Sequence, residues 1–284
     1  MPHRDTKCHS RLSGIFLEER CWTSQHDKDG YLQVKKITVA LLLLSLALVL
    51  SCSGKPAIKP AEIFDGQKSF AKANELMDKQ EYEEARAALL EIKNRDLTKK
   101  YAPLAQLRIA DSYTKEAEPD RAVEEYRKFL DIYPEHTYAS YAQFQIAVIY
   151  FNQIEGPDRG YGGASKALEE FEKLKRMFPR NPYRDLIDVR IEKCKNTIAE
   201  HEFLVGTFYY KKDSYSAAIK RFQGVLRKFP GFKKEAGVLY HLAMSHKKLG
   251  EKDRAEEYFK LLIEKHPKNS LVPQVKKELL SIKP

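Results

Sequence analysis

The residues of this 284-residue chain that could do chemistry are few, and their spacing favours no common catalytic or metal site. His241 and His246 are five residues apart, so they do not share a helix face as the two histidines of an HExxH zinc site would. His201-Glu202 has no second histidine at ligand spacing. The Gly-rich stretch 155–163 is followed by no Gly-Lys-Ser/Thr, so it does not predict a phosphate-binding loop. We therefore expect no catalytic residue, metal or cofactor.

One cysteine has a context that predicts covalent chemistry. An apolar run, residues 37–50, ends next to Cys52 and is preceded by Lys35 and Lys36. Its length is below the roughly 20 residues that span a bilayer, and a positive flank, a short apolar core and small residues at its exit are typical of a secretory signal. The four residues ending at Cys52 resemble the lipobox of bacterial lipoproteins, which implies that Cys52 is acylated and anchors the mature chain. The alternative is a buried helix with a chance cysteine.

The predicted signal peptide, residues 32–51, begins about thirty residues late. Residues 1–31 are polar and of mixed charge, and we interpret them as a non-native upstream extension, with translation starting near Leu32 or Val34. A precursor peptide that contains Trp22 would contradict this hypothesis. Ser53, not Asp, follows the predicted anchor, which favours the outer membrane. The mature chain would keep Cys194 as its one other thiol, for which we expect a buried helix position.

The net charge of +10 comes from 50 Lys or Arg and 40 Asp or Glu. The two signs are interleaved along the chain, which predicts a solvated surface more than a nucleic-acid site. Attraction to an acidic partner or to membrane phosphates remains an open alternative.

The elements that must position any site are predicted by an internal repeat. An aromatic residue or His followed by Pro occurs four times, and each Pro has an Ala twelve residues before it and an aromatic residue four after that Ala. The small residue lets two helices approach, the aromatic residue lies on the same face, and the Pro ends the second helix. In the fourth repeat the first helix supplies its own pair of this kind, Gly206 and Tyr209. The second-helix pairs are Ala122/Tyr126, Ala167/Phe171, Ala218/Phe222 and Ala255/Phe259.

These patterns predict an all-α fold, an α-solenoid of about five helix pairs similar to tetratricopeptide repeats. Two departures from regularity are expected: the insertion at 155–163 inside the third repeat, and a first helix of the fourth repeat that starts about five turns early. A tether, residues 52–65, leads into the repeat domain, residues 66–284. The repeats lie near 66–98, 101–135, 138–180, 183–231 and 235–268, with a C-terminal helix at 271–282.

A lipobox followed by five such repeats resembles the BamD family, the lipoprotein subunit of the outer-membrane β-barrel assembly machine. The most specific stretch is 199–210, continuing to 229–231, whereas the first repeat lacks the aromatic-Pro ending that is usual in the family. The resemblance implies a non-enzymatic protein, lipid-anchored at the periplasmic face of the outer membrane. Its implied partners are the barrel-inserting subunit, other lipoproteins of the machine and unfolded outer-membrane proteins, with no nucleic acid.

The resemblance also implies a docking residue. In the family, an Arg in the second helix of the fourth repeat contacts a carboxylate of the barrel-inserting subunit, and Arg221 occupies that position. By helical period Arg221 should face outward while Phe222 faces in; Lys220 and Arg227 are expected to belong to the same docking surface. The alternative for Arg221 is a solvated surface residue.

Two other functions stay open. The first is a different tetratricopeptide lipoprotein that acts as an envelope or cell-division scaffold. The second is a cell-wall enzyme with accessory repeats, although no residues outside the repeats remain to form its catalytic domain.

Overall fold

The computed structural model describes residues 64–282. The predicted signal peptide, Cys52 and all but the last two residues of the tether lie outside the described residues. Within 64–282 the chain forms eleven helices and no strand, which confirms the predicted all-α class. None of these helices is long and apolar enough to cross a membrane.

Each helix packs against the next one along the chain, so the helices form five consecutive pairs and a final single helix. Short connections between contacting helices make neighbours run in opposite directions. In chain order the helices are α1 (Gly66–Asp78), α2 (Tyr82–Arg95), α3 (Ala102–Lys115), α4 (Pro119–Ile132), α5 (Ala139–Asn152), α6 (Gly162–Met177), α7 (Arg184–Lys211), α8 (Tyr215–Lys228), α9 (Glu235–Lys248), α10 (Lys252–Lys265) and α11 (Val272–Ile282).

The repeated small and aromatic residues lie in the core between paired helices. All eight second-helix positions are buried: the four Ala, Phe171, Phe222 and Phe259 are 0% exposed and Tyr126 is 1% exposed. Helices α7 and α8 approach closely at Gly206, where an added Cβ would lie 2.5 Å from Cε1 of Phe222 on α8. Tyr209 is half-buried against the same cluster. The fold therefore uses these residues as spacers and fillers between helices.

Both predicted departures from regularity are present. The insertion occupies the connection between α5 and α6, and α7 has 28 residues where most of the helices have 14. The extra length is about four turns, so the expected five turns were too many. The helix begins no earlier than Arg184 because Pro182 disfavours helical backbone at the preceding Asn181, whose side chain accepts a hydrogen bond from the backbone N–H of Tyr183 at 2.9 Å instead.

The first repeat closes without an aromatic-Pro ending. The carboxylate of Asp96, just after α2, accepts hydrogen bonds from the backbone N–H groups of Tyr101 at 2.6 Å and Ala102 at 2.9 Å, and from Thr98. Burial of Asp96 opposes ionisation, but these hydrogen bonds outweigh it and lower the pKa of the carboxyl group. One buried carboxylate thus joins the end of α2 to the start of α3.

Candidate docking surface and groove

Paired helices of the second and third repeats are joined by a polar clamp. In the second repeat, Nε2 of Gln106 donates to the backbone carbonyl of Glu125 at 3.0 Å and to its Oε2 at 2.7 Å. In the third, Nε2 of Gln143 donates to the carbonyl of Glu170 at 3.2 Å and to its Oε2 at 2.7 Å. Gln106 lies four residues before Ala110 and Gln143 four residues before Ala147, the small residues of the two first helices. Each Glu lies three residues after the Ala of its second helix. Both glutamines are fully buried.

The candidate docking residue Arg221 occupies the same place in the fourth repeat. It lies three residues after Ala218, and Glu202 lies four residues before Gly206, so here the accepting carboxylate is on the first helix and the donor, a guanidinium group in place of the Gln amide, is on the second. Nη1 of Arg221 donates to Oε2 of Glu202 at 2.9 Å. This hydrogen bond and the charge of Glu202 raise the pKa of Arg221. The side chain of Arg221 remains 45% exposed, so the fourth clamp is a charge pair that solvent can reach.

The insertion of the third repeat packs beside this pair. His201, one residue before Glu202, has its Nδ1 at 2.7 Å from the carbonyl oxygen of Pro157, and because a carbonyl only accepts, Nδ1 donates. The ring of Tyr161, at the end of the insertion, lies 4.9 Å from the His201 ring, centroid to centroid. The two irregular elements of the array, the insertion and the long helix α7, therefore meet next to Arg221.

Lys220 and Arg227 are both exposed on α8, and neither forms an ion pair within residues 64–282. They are seven residues apart and share a helix face, whereas Arg221 lies about 100° around the helix from Lys220. The structure therefore does not group the three cations into one cluster. Glu202 was missed by sequence reasoning, although its spacing of four residues before Gly206 matched the buried glutamines of the earlier repeats.

A groove lies between the first helices of repeats one to three. This groove, of about 270 Å³, has walls that include Phe70, Leu107 and Tyr138. Asp111 forms its floor and accepts hydrogen bonds on Oδ1 from the hydroxyl groups of Tyr126 at 2.6 Å and Tyr141 at 2.9 Å. Burial and the charge of Asp111 raise the pKa of both tyrosines, which keeps them neutral donors.

The polar group at the mouth of this groove is Arg108. Its Nη1 lies 3.3 Å from Oδ2 of Asp111, and its side chain is 44% exposed. The groove thus offers apolar walls and one accessible guanidinium group, which suits an extended peptide segment with an apolar side chain and a carboxylate.

No group of three or more His, Cys, Asp or Glu within residues 64–282 is arranged to hold a metal ion. Cys194 is fully buried on α7, and burial raises the pKa of its thiol to about 11, which leaves little thiolate at neutral pH.

Consecutive helix pairs that pack against one another in this way define a class, the helical-repeat proteins. More specifically, the chain belongs to the YfiO family of outer membrane lipoproteins, whose family model matches residues 65–280. This match confirms the resemblance inferred from the sequence.

Named relatives agree with this assignment. The chain is 26% identical over 251 residues to the outer membrane protein assembly factor BamD of Neisseria meningitidis serogroup A, covering 83% of this chain and 93% of that protein. It is 27% identical over 192 residues to BamD of Rickettsia prowazekii, covering 68% and 76%. Among solved structures it is similar to the TPR2AB domain of yeast Sti1 in complex with pHSP90, at 18% identity, 71% and 78% coverage and a TM-score of 0.42.

Proposed function

We propose that this chain is a non-enzymatic assembly factor for outer-membrane β-barrel proteins. In this proposal an acylated Cys52 holds it at the periplasmic face of the outer membrane, where it scaffolds the barrel-inserting subunit, contacts other lipoproteins of the machine and helps deliver unfolded outer-membrane proteins. Its family and the named function of its relatives support this role. The observation that carries the docking part is the exposed Glu202–Arg221 pair.

Arg221 suits a docking contact because Glu202 fixes it without using all its donors. A guanidinium group has five N–H donors in a planar fork, and the ion pair with Glu202 runs through Nη1. A carboxylate of the partner can therefore accept from the remaining N–H groups while Glu202 holds the fork in place. Glu202 acts as a positioning residue in this arrangement.

The test separates docking from a structural role by exchanging the two charges. Arg221→Glu alone would place two carboxylates opposite each other and disturb the clamp, so it is combined with Glu202→Arg, which restores an internal pair. We expect both the single and the double variant to lose co-purification of the barrel-inserting subunit from solubilised membranes. The double variant should keep the far-UV helical signal of the wild type.

The matched control is Lys212→Glu, which reverses an exposed cation without an ion pair in the connection after α7 and should keep partner binding. Restored binding in the double variant would show that Arg221 serves the fold, and would contradict its proposed role in docking.

The groove of the first three repeats is the proposed receptor for segments of unfolded outer-membrane proteins. A photo-crosslinking residue in place of Tyr138, which is 49% exposed at the groove, should crosslink to an unfolded barrel protein. Arg108→Ala should reduce the yield, because it removes the cation at the groove mouth. The same probe at Leu280, exposed on α11, is the control. Equal crosslinking at both positions would contradict a specific groove.

A further inference from the structure

The connections between helices lie alternately on two edges of the repeat array, because neighbouring helices run in opposite directions. We call one of these two edges the basic edge; it holds the connections that lead from each second helix to the next helix along the chain. It comprises each connection with one helical turn of four residues on either side, namely residues 92–105, 129–142, 174–187, 225–238 and 262–275. The opposite edge, defined in the same way, comprises residues 75–85, 112–122, 149–165, 208–218 and 245–255.

The two edges differ in charge. The basic edge carries 14 Lys or Arg against 6 Asp or Glu, whereas the opposite edge carries 10 against 13. Charges that are interleaved along the sequence are therefore sorted in space.

Most cations of the basic edge are available to a partner. Nine of the 14 are exposed and form no ion pair or hydrogen bond through their charged groups within the described residues, among them Lys99, Arg180, Arg227, Lys228 and Lys233. They are distributed over four of the five connections and are not gathered in one groove. A broad, laterally fluid array of anions matches this distribution better than a single acidic segment does.

Exposed apolar side chains accompany these cations. Leu97, two residues before Lys99, is 93% exposed, and Met177 and Leu186, on either side of Arg180 and Arg184, are 48% and 45% exposed. Cations interspersed with exposed apolar residues are typical of surfaces that lie at the boundary between lipid headgroups and acyl chains.

The chain also enters the repeat array at this edge. The Arg95 guanidinium carbon lies 4.9 Å from the centroid of the Phe64 ring, so the first described residue packs against the basic edge. Only the residues between Cys52 and Phe64 separate the predicted anchor from this point, and a fully extended segment of that length reaches at most about 40 Å. If Cys52 is acylated, as the proposed function has it, the anchor holds this edge near the bilayer.

We propose that the basic edge binds the anionic headgroups of phospholipids in the membrane to which the chain is anchored. Its lysines and arginines contact the phosphates, and Leu97 reaches the acyl boundary. This contact orients the repeat array on the membrane, which the acyl anchor alone cannot do through a tether.

The test uses the purified chain from Ser53 onward, so that neither an acyl chain nor the apolar run at residues 37–50 contributes. Its sedimentation with phosphatidylcholine vesicles is compared with that on vesicles containing phosphatidylglycerol. The basic-edge variant combines Arg176→Gln, Arg180→Gln, Arg227→Gln, Lys228→Gln and Lys233→Gln. The matched control, which removes five exposed and unpaired cations from the opposite edge, combines Lys211→Gln, Lys212→Gln, Lys248→Gln, Lys252→Gln and Arg254→Gln.

We expect the preference for anionic vesicles to fall at least about tenfold in the basic-edge variant and less than about twofold in the control, since each cation near the surface contributes separately. Raising the salt concentration should release the unsubstituted edge from these vesicles. Equal losses in the two variants would show that net charge alone matters and would overturn the proposal. Binding of polyglutamate or single-stranded DNA through the same edge, without vesicle binding, would also overturn it.

A reporter at the edge tests the contact directly. Leu97→Trp in the same chain from Ser53 onward, which does not include Trp22, places the only tryptophan on the basic edge. Its emission should shift to the blue with anionic vesicles and not with neutral ones; no shift in either case would contradict insertion at Leu97. The proposed anchor is tested separately by the mass of the wild-type mature chain, so absence of acylation and absence of edge binding are distinguishable.

Discussion

Gly206 shows how one missing side chain sets the packing of a repeat. Any Cβ at this position would lie 2.5–3.0 Å from ring atoms of Phe222, which is closer than van der Waals contact allows. Gly206→Ala should therefore lower the free energy of unfolding by roughly 1–3 kcal/mol through overpacking, measured by urea denaturation. The matched control is Gly224→Ala on α8, where an added Cβ meets nothing within 4 Å. It should be neutral or stabilising by up to about 1 kcal/mol, and equal effects of the two substitutions would contradict this account.

Removal of the Phe222 ring, on the other side of this contact, should lower the free energy of unfolding more than the added methyl group does. Phe222 is 0% exposed, and Phe222→Ala should lower the free energy of unfolding by roughly 3–5 kcal/mol, because a cavity replaces the buried ring. Combined with Gly206→Ala, the loss should be smaller than the sum of the two, since the new methyl group fills part of that cavity. Strict additivity in urea denaturation would show that the two residues do not share the space.

His241 should make the stability of the repeat array depend on pH. Its ring lies 5.4–5.7 Å from the rings of Phe203, Phe222 and Tyr210, centroid to centroid. Burial lowers its pKa and outweighs the hydrogen bond with the Gly237 carbonyl, which acts in the opposite direction. The folded state thus favours neutral His241, and the unfolded chain takes up a proton first as the pH falls.

The contribution of His241 should therefore be complete above the ordinary His pKa of about 6.5 and decline as the pH falls below it. The melting temperature of His241→Phe, followed by far-UV circular dichroism, should fall less steeply with falling pH than that of the wild type over this range. An identical slope in both proteins would contradict the assignment.

At the scale of elements, the junction between the first two repeats depends on Asp96. Asp96→Ala would leave the backbone N–H groups of Tyr101 and Ala102 without their acceptor at a largely buried position. We expect a loss of about 1–3 kcal/mol, measured by urea denaturation at neutral pH. Because the pKa of Asp96 is lowered in the fold, this difference should shrink as the pH falls through its titration. Asp131→Ala, an exposed acid at the end of α4, should cost less than about 0.5 kcal/mol.

An element could be predicted from the sequence when the residues that determine it lie close together along the chain. Proline and the Ala–aromatic spacing act within one helix, so the sequence predicts the helices and their core residues. The Glu202–Arg221 clamp joins residues 19 positions apart on two helices, and it becomes visible only when the repeats are aligned in space. Asp96 replaces an aromatic-Pro ending by hydrogen bonds across a loop, for which sequence spacing offers no comparable marker.

At the scale of the whole molecule, neighbouring repeats share their cores. Phe178 packs against the clusters of the second and third repeats, and Phe229 packs against those of the third and fourth. Repeats coupled in this way should unfold together over long stretches. The charge asymmetry of the two edges belongs to this scale as well, because it arises only when alternate connections are brought to one side.

The buried thiol of Cys194 can report on this coupling. It is 0% exposed in the third-repeat core and its pKa is raised to about 11, so alkylation at neutral pH should be slow in the native chain from Ser53 onward, which contains none of the cysteines at positions 8, 21 and 52. Its labelling should rise with urea in parallel with the loss of helical signal. Ser216→Cys, exposed on α8, should label rapidly throughout. Rapid native labelling of Cys194 would reveal local opening of α7.

Helix α7 also fixes the distance between two parts of the repeat array. Its 28 residues span about 42 Å at 1.5 Å per residue, without a break between the core of the third repeat and that of the fourth. An extended polypeptide lying alongside it would need about 12 residues to run from one end to the other. Segments shorter than this could touch only one end at a time, so the geometry of a single helix sets the minimum length of a segment that contacts both ends.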